Sequence, residues 1–280
     1  MPIKTTIITG ATSGIGKATA MALAAQDHEV YLLVRNIIKG ETVKQEIIAK
    51  TGNKHVSVIK CDLADLQSVR EAAAELSQKL TTINILINNA GAGFSERRVS
   101  KDGFEMTFTT NHLGHFLLTT SLMPLLERGH ARIINVSSEG HKIGKANFDD
   151  LQSAQNYSSF KAYGMAKLFN IYFTQSLAQK FADKGILAFS LHPGVVNSSF
   201  IEGLKGFDKI LMKLARPFMI TSQQGAETSI YLAMEPGLDK FNGRYFKKEK
   251  LAKTSPIAQD WAAQEKLWQI SEKLISKSVA

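Results

Sequence analysis

Short apolar runs rich in Val and Ile alternate along the chain with longer stretches in which apolar residues recur every three to four positions. Residues 4–9, 29–34, 55–60, 83–88, 131–137 and 186–192 (KTTIIT, EVYLLV, HVSVIK, INILIN, ARIINVS, ILAFSLH) read as six strands. Residues 16–26, 41–50, 65–80, 104–128 and 158–182 read as helices. Strands that are apolar on both faces and alternate with helices pair in parallel and are covered on both sides. Right-handed crossovers then wind the helices around one sheet. The predicted fold is α/β: a single-domain, doubly wound, Rossmann-type parallel sheet over residues 1–280. No Pro/Gly/Ser-rich linker or repeat interrupts it. The strand pattern continues past residue 180, so dividing the chain would leave each half with an open edge.

Two segments depart from the alternation. Residues 197–222 follow the sixth strand and carry an apolar stripe of Phe200, Ile201, Leu204, Phe207, Ile210, Leu211 and Leu214, with lysines at 205, 209 and 213. A helical cap over an apolar substrate, a helix packed on the core and an amphipathic helix at a membrane surface all fit this pattern. Residues 256–278 read as an amphipathic helical extension with Trp261 and Trp268, packing on the domain or on another subunit.

A chain of 280 residues buries a sizeable core. Its single cysteine, Cys61, forbids an internal disulfide and suits a reducing compartment. Cys61 itself reads as a small apolar residue at a strand end. No apolar run reaches the ~18–20 residues that span a bilayer, and the first ten residues are too short and polar for a secretory signal. A cytoplasmic protein without a transmembrane anchor is expected, with room for peripheral membrane contact through 197–222. The net charge of +9 comes from 34 basic and 25 acidic residues. No RNA-binding signature or zinc-finger spacing accompanies it, so a solvated basic face is expected and nucleic acid is not an expected partner.

The candidate chemistry begins after the first strand, where TGATSGIGKATA opens the first helix. Gly10, Gly14 and Gly16 permit a tight turn, and the helix start offers unpaired N–H groups and a positive dipole end to a diphosphate. At the end of the second strand an acidic residue would favour a free ribose hydroxyl. Val34 offers no carboxylate, and Arg35 offers a fork suited to phosphate. NADP(H) is therefore expected over NAD(H), with Lys17 or Lys39 as secondary candidates. In the segment 160–181, Tyr163 and Lys167 lie four apart on one helix face, placing an ammonium beside a phenol. A nearby cation favours the phenolate and lowers its pKa toward useful acid–base work. Tyr157 also has a lysine four residues on, Lys161, but lies among turn and cap residues, so it reads as a wall of the site or as packing. His112 and His115 lack a third ligand, and no metal site is expected. His141 reads as a surface histidine, with substrate contact as the alternative.

TGATSGIG, CDLAD, NNAG (Asn88 to Gly91), NVSS, YGMAK and HPG (192–194) follow the order of the short-chain dehydrogenases/reductases. The stretches TNHLGHFLLT, FDDLQ, SLHPGVV and TSQQGAETSIYLA most resemble the retinol dehydrogenase-like branch. The resemblance runs from about residue 5 to about 250 and implies an NADP(H)-dependent oxidoreductase. Hydride would pass between nicotinamide and an apolar aldehyde or ketone, or the matching alcohol. It implies that Ser138 holds the substrate oxygen and that Tyr163 is the acid in reduction and the base in oxidation. Lys167 would bind the nicotinamide ribose and tune Tyr163, and Asn111 would support a proton-relay water. Capping at the helix start is the plain reading of Ser137, which is given no role at the site. For the cofactor it implies the turn residues Thr12, Ser13 and Ile15 with the three glycines, and Asp62 and Leu63 beside the adenine. It adds Asn88, Ala90 and Gly91 along the cleft, then Pro193, Gly194, Val196 and Ser198 at the nicotinamide. Relatives usually associate through helices 104–128 and 158–182, so a homo-oligomer is implied. A non-catalytic NADP-binding regulator and a lipid-surface binding protein are the alternatives on the same fold.

Overall fold

The computed structural model describes residues 3–196 and 219–277. All six expected strands are present: β1 (Thr5–Thr9), β2 (Glu29–Val34), β3 (Val56–Lys60), β4 (Ile85–Asn88), β5 (Arg132–Val136) and β6 (Leu187–His192). They join one sheet in the order β3-β2-β1-β4-β5-β6, all parallel. Beyond β6 the sheet gains β7 (Tyr245–Lys247), parallel to it, and β8 (Lys250–Leu251), antiparallel to β7. Neither was expected, because three- and two-residue strands are too short to show a period.

Alternating side chains of the strands feed two cores. Ile7, Leu86 and Ile133 face one cluster with Leu66, Phe116 and Phe169. Ile8, Ile87 and Ile134 face the other with Leu23, Val43 and Leu232. Helices α1 (Gly14–Ala24), α2 (Ile37–Thr51) and α3 (Leu66–Lys79) follow the first three strands. The strand order reverses between β1 and β4, which opens a crevice at the strand C-termini, where such sheets bind ligands.

The helix expected over 104–128 is divided into α4 (Met106–Phe108), a π-turn (Thr109–Leu113), α5 (Gly114–Ser121) and α6 (Met123–Arg128). The cause is local. The Asn111 side-chain amide donates to the Thr107 carbonyl at 2.8 Å, competing with the backbone for that acceptor, and to the Ala92 carbonyl at 2.7 Å. Helix α7 (Ser159–Phe181) carries the Tyr163–Lys167 pair, and α8 (Ser222–Met234) packs on α1.

The C-terminal extension forms α9 (Trp261–Lys277). Trp268 is buried against Phe116, Phe173 and Phe181, with 4.9 Å between its ring centre and that of Phe116. Trp261 stays half exposed. Ser271 meets His112 Nε2 at 2.9 Å, and Lys180 pairs with Glu265 at 2.7 Å. Helix α9 thus covers, from the same chain, part of the helical face through which the resemblance implies self-association. The segment expected to cap the site lies outside the described residues except at its last four positions. There Ile220 N–H donates to the Val195 carbonyl at 2.9 Å. Among the described residues no helix is long and apolar enough to cross a membrane.

Candidate active site

A cavity of about 1060 Å³ runs along the C-terminal ends of the central strands. Its first wall is the turn from β1 to α1. Gly10 adopts φ +68°, and a Cβ there would stand 2.9 Å from the Ala90 Cα, so only glycine lets the two strand ends approach. Thr9 locks the approach: its hydroxyl accepts from the N–H groups of Asn89 and Ala90, each at 3.0 Å. The Asn89 side chain donates to the Thr9 carbonyl at 2.8 Å. With the turn so held, the first N–H groups of α1 and its positive end face the cavity.

Every described residue expected at the cofactor lines this cavity except Asn88. Asn88 is turned into the core: its amide donates to Thr119 Oγ1 at 3.1 Å and to Asn135 Oδ1 at 2.8 Å. Its neighbour Asn89 takes the cleft position. The alternation of a strand explains the exchange, since adjacent side chains point to opposite faces. Ser198 lies outside the described residues.

At the far end of the cavity Arg35, Asn36 and Lys39 are exposed, while Val34 is buried. Among the described residues no acidic group pairs with Arg35 or Lys39. Lys17 is committed to an ion pair with Glu46 and does not line the cavity.

The other end gathers Ser138, Tyr163 and Lys167. Ser138 follows β5, and its hydroxyl oxygen accepts from the Gly140 N–H at 3.1 Å and is hydrogen-bonded to Tyr163. The capping expected of Ser137 therefore falls to Ser138, which starts the 3₁₀ turn Glu139–Ile143. Ser137 instead donates to the Lys167 carbonyl at 2.7 Å, tying β5 to α7. The Lys167 ammonium is buried, donates to the Val136 carbonyl at 3.0 Å and stands 5.5 Å from the Tyr163 ring centre. Gly91 makes room for it: a Cβ there would lie 3.0 Å from Lys167 Nζ and 2.7 Å from Asn111 Oδ1. Asn111 does not line the cavity but sits behind Gly91, and its Oδ1 is buried with no hydrogen-bond partner among the described residues.

Burial sets the electrostatics. It pushes Lys167 down to about 8. It also pushes the Tyr163 phenol above its ordinary value, with the Ser138 hydrogen bond opposing. The net lowering expected of this phenol is not seen, because burial outweighs the opposing hydrogen bond. Desolvating a phenolate costs more than this arrangement returns. Tyr157 is excluded from the site, because its hydroxyl donates to the Phe94 carbonyl at 2.6 Å. Cys61 is buried and its thiol is pushed up to about 12, the behaviour of an inert packing residue.

Three residues that sequence reasoning left out also line the reaction end: Glu139, His192 and Lys247. Glu139 pairs with Lys142 at 2.6 Å and with Lys247 at 3.6 Å. Its backbone N–H donates to His192 Nδ1 at 3.3 Å. The HPG stretch signals His192, but Lys247 arrives on the short β7. His141 is no surface histidine: it is fully buried behind Ser138. Inside the fold His112 Nε2 meets Ser271, while His115 spends Nε2 on Thr9 and Nδ1 on the Asn111 carbonyl.

A glycine turn opening a helix at the sheet's switch point, and a Ser–Tyr–Lys cluster at the other end of the same cleft, define a nucleotide-dependent oxidoreductase of doubly wound fold. Comparison of the sequence with known families agrees: the family model described as short chain dehydrogenase matches residues 4–206, and the chain belongs to that family. It falls in the retinol dehydrogenase-like branch. It is 41% identical over 276 residues to retinol dehydrogenase 12 of Homo sapiens, covering 98% of this chain and 87% of that protein. It is 40% identical over 280 residues to retinol dehydrogenase 11 of Mus musculus, covering 100% and 88%. Among solved structures, an uncharacterized protein from Mycobacterium Paratuberculosis superposes with a TM-score of 0.80 at 31% identity, covering 98% of this chain and 93% of that one. The family acts on alcohol and carbonyl groups by hydride transfer with a nicotinamide cofactor.

Proposed function

We propose that this chain interconverts an apolar aldehyde or ketone with its alcohol, using NADP(H) in preference to NAD(H). The observation that carries the reading is the hydrogen bond between Ser138 and Tyr163, with the Lys167 ammonium beside the Tyr163 ring, in the cleft that begins at the glycine turn. The residues present suit a pyridine dinucleotide. The α1 start faces the diphosphate position, Gly91 leaves space beside Lys167, and Arg35 with Lys39 supplies cations at the opposite end. Held there, a nicotinamide nucleotide would supply hydride to a carbonyl carbon or accept it from an alcohol.

The chain's own part is to hold and move a proton. Ser138 Oγ donates to the substrate oxygen and fixes it beside the Tyr163 hydroxyl. Tyr163 gives its proton to that oxygen in reduction and removes it in oxidation. Lys167 keeps a positive charge next to the phenolate that remains, and Asn111 Oδ1, which has no partner among the described residues, would accept from Lys167 or from a water beside it. An apolar substrate is supported by Ile143, Phe160 and Val195, which line the cleft and are exposed. The names of the relatives point to long apolar alcohols and aldehydes of the retinol type.

The test is NADPH consumption across retinaldehyde, straight-chain lipid aldehydes, steroid ketones and quinones. Tyr163→Phe should cut turnover at least ~100-fold with NADPH binding kept, the usual scale for acid–base catalysis. Wild-type turnover in that variant would remove Tyr163 as the acid.

A further inference from the structure

His141 takes no part in the steps above, yet both of its ring nitrogens are engaged immediately behind Ser138. It lies in the 3₁₀ turn Glu139–Ile143 and has no exposed surface. Nδ1 stands 2.7 Å from the Ser138 carbonyl oxygen, which can only accept, so Nδ1 carries the hydrogen. Nε2 stands 3.2 Å from the Ser255 backbone nitrogen, which can only donate, so Nε2 presents its lone pair. The two partners fix one neutral tautomer.

The ring is held on its remaining side by Tyr245, edge to face at 5.0 Å between centres. Tyr245 in turn donates to Glu139 Oε1 at 3.3 Å. Ser255 is itself anchored, since it opens the 3₁₀ turn Pro256–Gln259, whose Ile257 carbonyl accepts from the Tyr172 hydroxyl of α7 at 2.8 Å. The last sheet-ladder bond before the site is Ser137 N–H to the Leu191 carbonyl at 2.8 Å. Beyond it, the Ser138 carbonyl is held by the backbone N–H of His141 at 3.1 Å and by the imidazole.

We propose that His141 is a positioning residue that holds Ser138 in register with Tyr163 by bridging the Ser138 carbonyl to the Ser255 N–H. The C-terminal segment, 114 residues further along the chain, thereby becomes part of the active-site scaffold. The inference rests on the proposed role of Ser138.

Three substitutions in the full chain separate the bonds. His141→Asn keeps a donor at the Nδ1 position and loses the reach to Ser255. His141→Gln keeps an acceptor for Ser255 and leaves the Ser138 carbonyl without its side-chain donor. Ser255→Pro deletes the N–H together with a hydroxyl that has no hydrogen-bond partner among the described residues, and Ser255 already has φ −64°, the value a proline ring imposes; Ser255→Ala, which keeps the N–H, is its control and should stay active. With NADPH and retinaldehyde, His141→Gln and Ser255→Pro should each lower kcat by about 10- to 100-fold, the scale of a misplaced contact, with NADPH affinity unchanged. His141→Asn should keep more activity than His141→Gln.

A second readout needs no substrate. Titration of Tyr163 by NMR of isotope-labelled tyrosine should show its pKa rising in His141→Gln and Ser255→Pro as it does in Ser138→Ala, because each weakens the Ser138 bond that opposes burial. Lys167 and Tyr245, the charged and titratable neighbours of Tyr163, are untouched in all of these variants. A Tyr163 titration that shifts in Ser138→Ala but not in His141→Gln or Ser255→Pro overturns the positioning role. So does greater loss of activity in His141→Asn than in His141→Gln. No shift and no loss in Ser138→Ala would instead sink the role of Ser138 itself.

Discussion

The Lys167 ammonium donates to the Val136 carbonyl at 3.0 Å while standing 5.5 Å from the centre of the Tyr163 ring. One strand-end carbonyl therefore decides where the charge beside the phenol sits. Burial brings Lys167 down to about 8, so the ammonium is still the dominant form at neutral pH and fades above that value. A cation beside a phenol favours its phenolate, and removing the cation raises the phenol's pKa. Lys167→Met keeps an unbranched stem without the charge. In alcohol oxidation its pH–rate profile should move to higher pH, with turnover at neutral pH lowered at least ~100-fold. An unshifted profile with lowered turnover would assign Lys167 to cofactor binding alone.

The adenosine end of the cleft makes a separate prediction. Arg35 is exposed, lines the cavity and has no acidic partner among the described residues, while the neighbouring Val34 is buried. Arg35→Glu replaces a phosphate-matching fork by a like charge. It should weaken NADPH by about 10- to 100-fold, the worth of one or two charge-assisted hydrogen bonds, and leave NADH binding within a few-fold. Fluorescence titration of both nucleotides decides it, and equal weakening of the two would show that Arg35 does not read the phosphate.

What the sequence disclosed and what it hid divide along contact distance. Tyr163 and Lys167 were legible because one helical turn fixes their relation. The six long strands were legible because each is apolar on both faces. The glycine turn was legible because strand, turn and helix are contiguous. His141 was not, since Glu139, Gly140, Lys142 and Gly144 around it look solvated, and what buries it comes from β7 and from Ser255 far along the chain. The direction of the Tyr163 shift was also hidden, because spacing reports a neighbouring charge but not how much water the fold removes. Asn88 and Asn89 could not be told apart, for motif and strand both admit either until the pleat is known.

The buried histidines make the fold sensitive to acid. Burial holds His112 down to about 3, and His115 and His192 down to about 4, and lowers His28 and His141 in the same direction. Nearby cationic groups add to the lowering at His28, where Lys4 acts, and at His115, where Lys167 acts. An unfolded histidine takes up its proton near pH ~6.5. Between that value and about 4 the unfolded chain binds more protons than the folded one, so stability is fully present above the unfolded value and is lost as pH falls. Each such histidine contributes a slope of about 1.4 kcal/mol per pH unit once its unfolded form is protonated. Urea unfolding at pH ~7, ~6 and ~5 should therefore show a falling midpoint with little change in the denaturant slope. The acidic loss should begin before most carboxylates titrate, because Asp and Glu ordinarily bind protons only near pH ~4. A midpoint that stays level from pH ~7 to ~5 would mean that these imidazoles accept protons as readily in the folded chain as in water. That contradicts the Phe108, Phe116, Phe169 and Phe173 rings packed around His112.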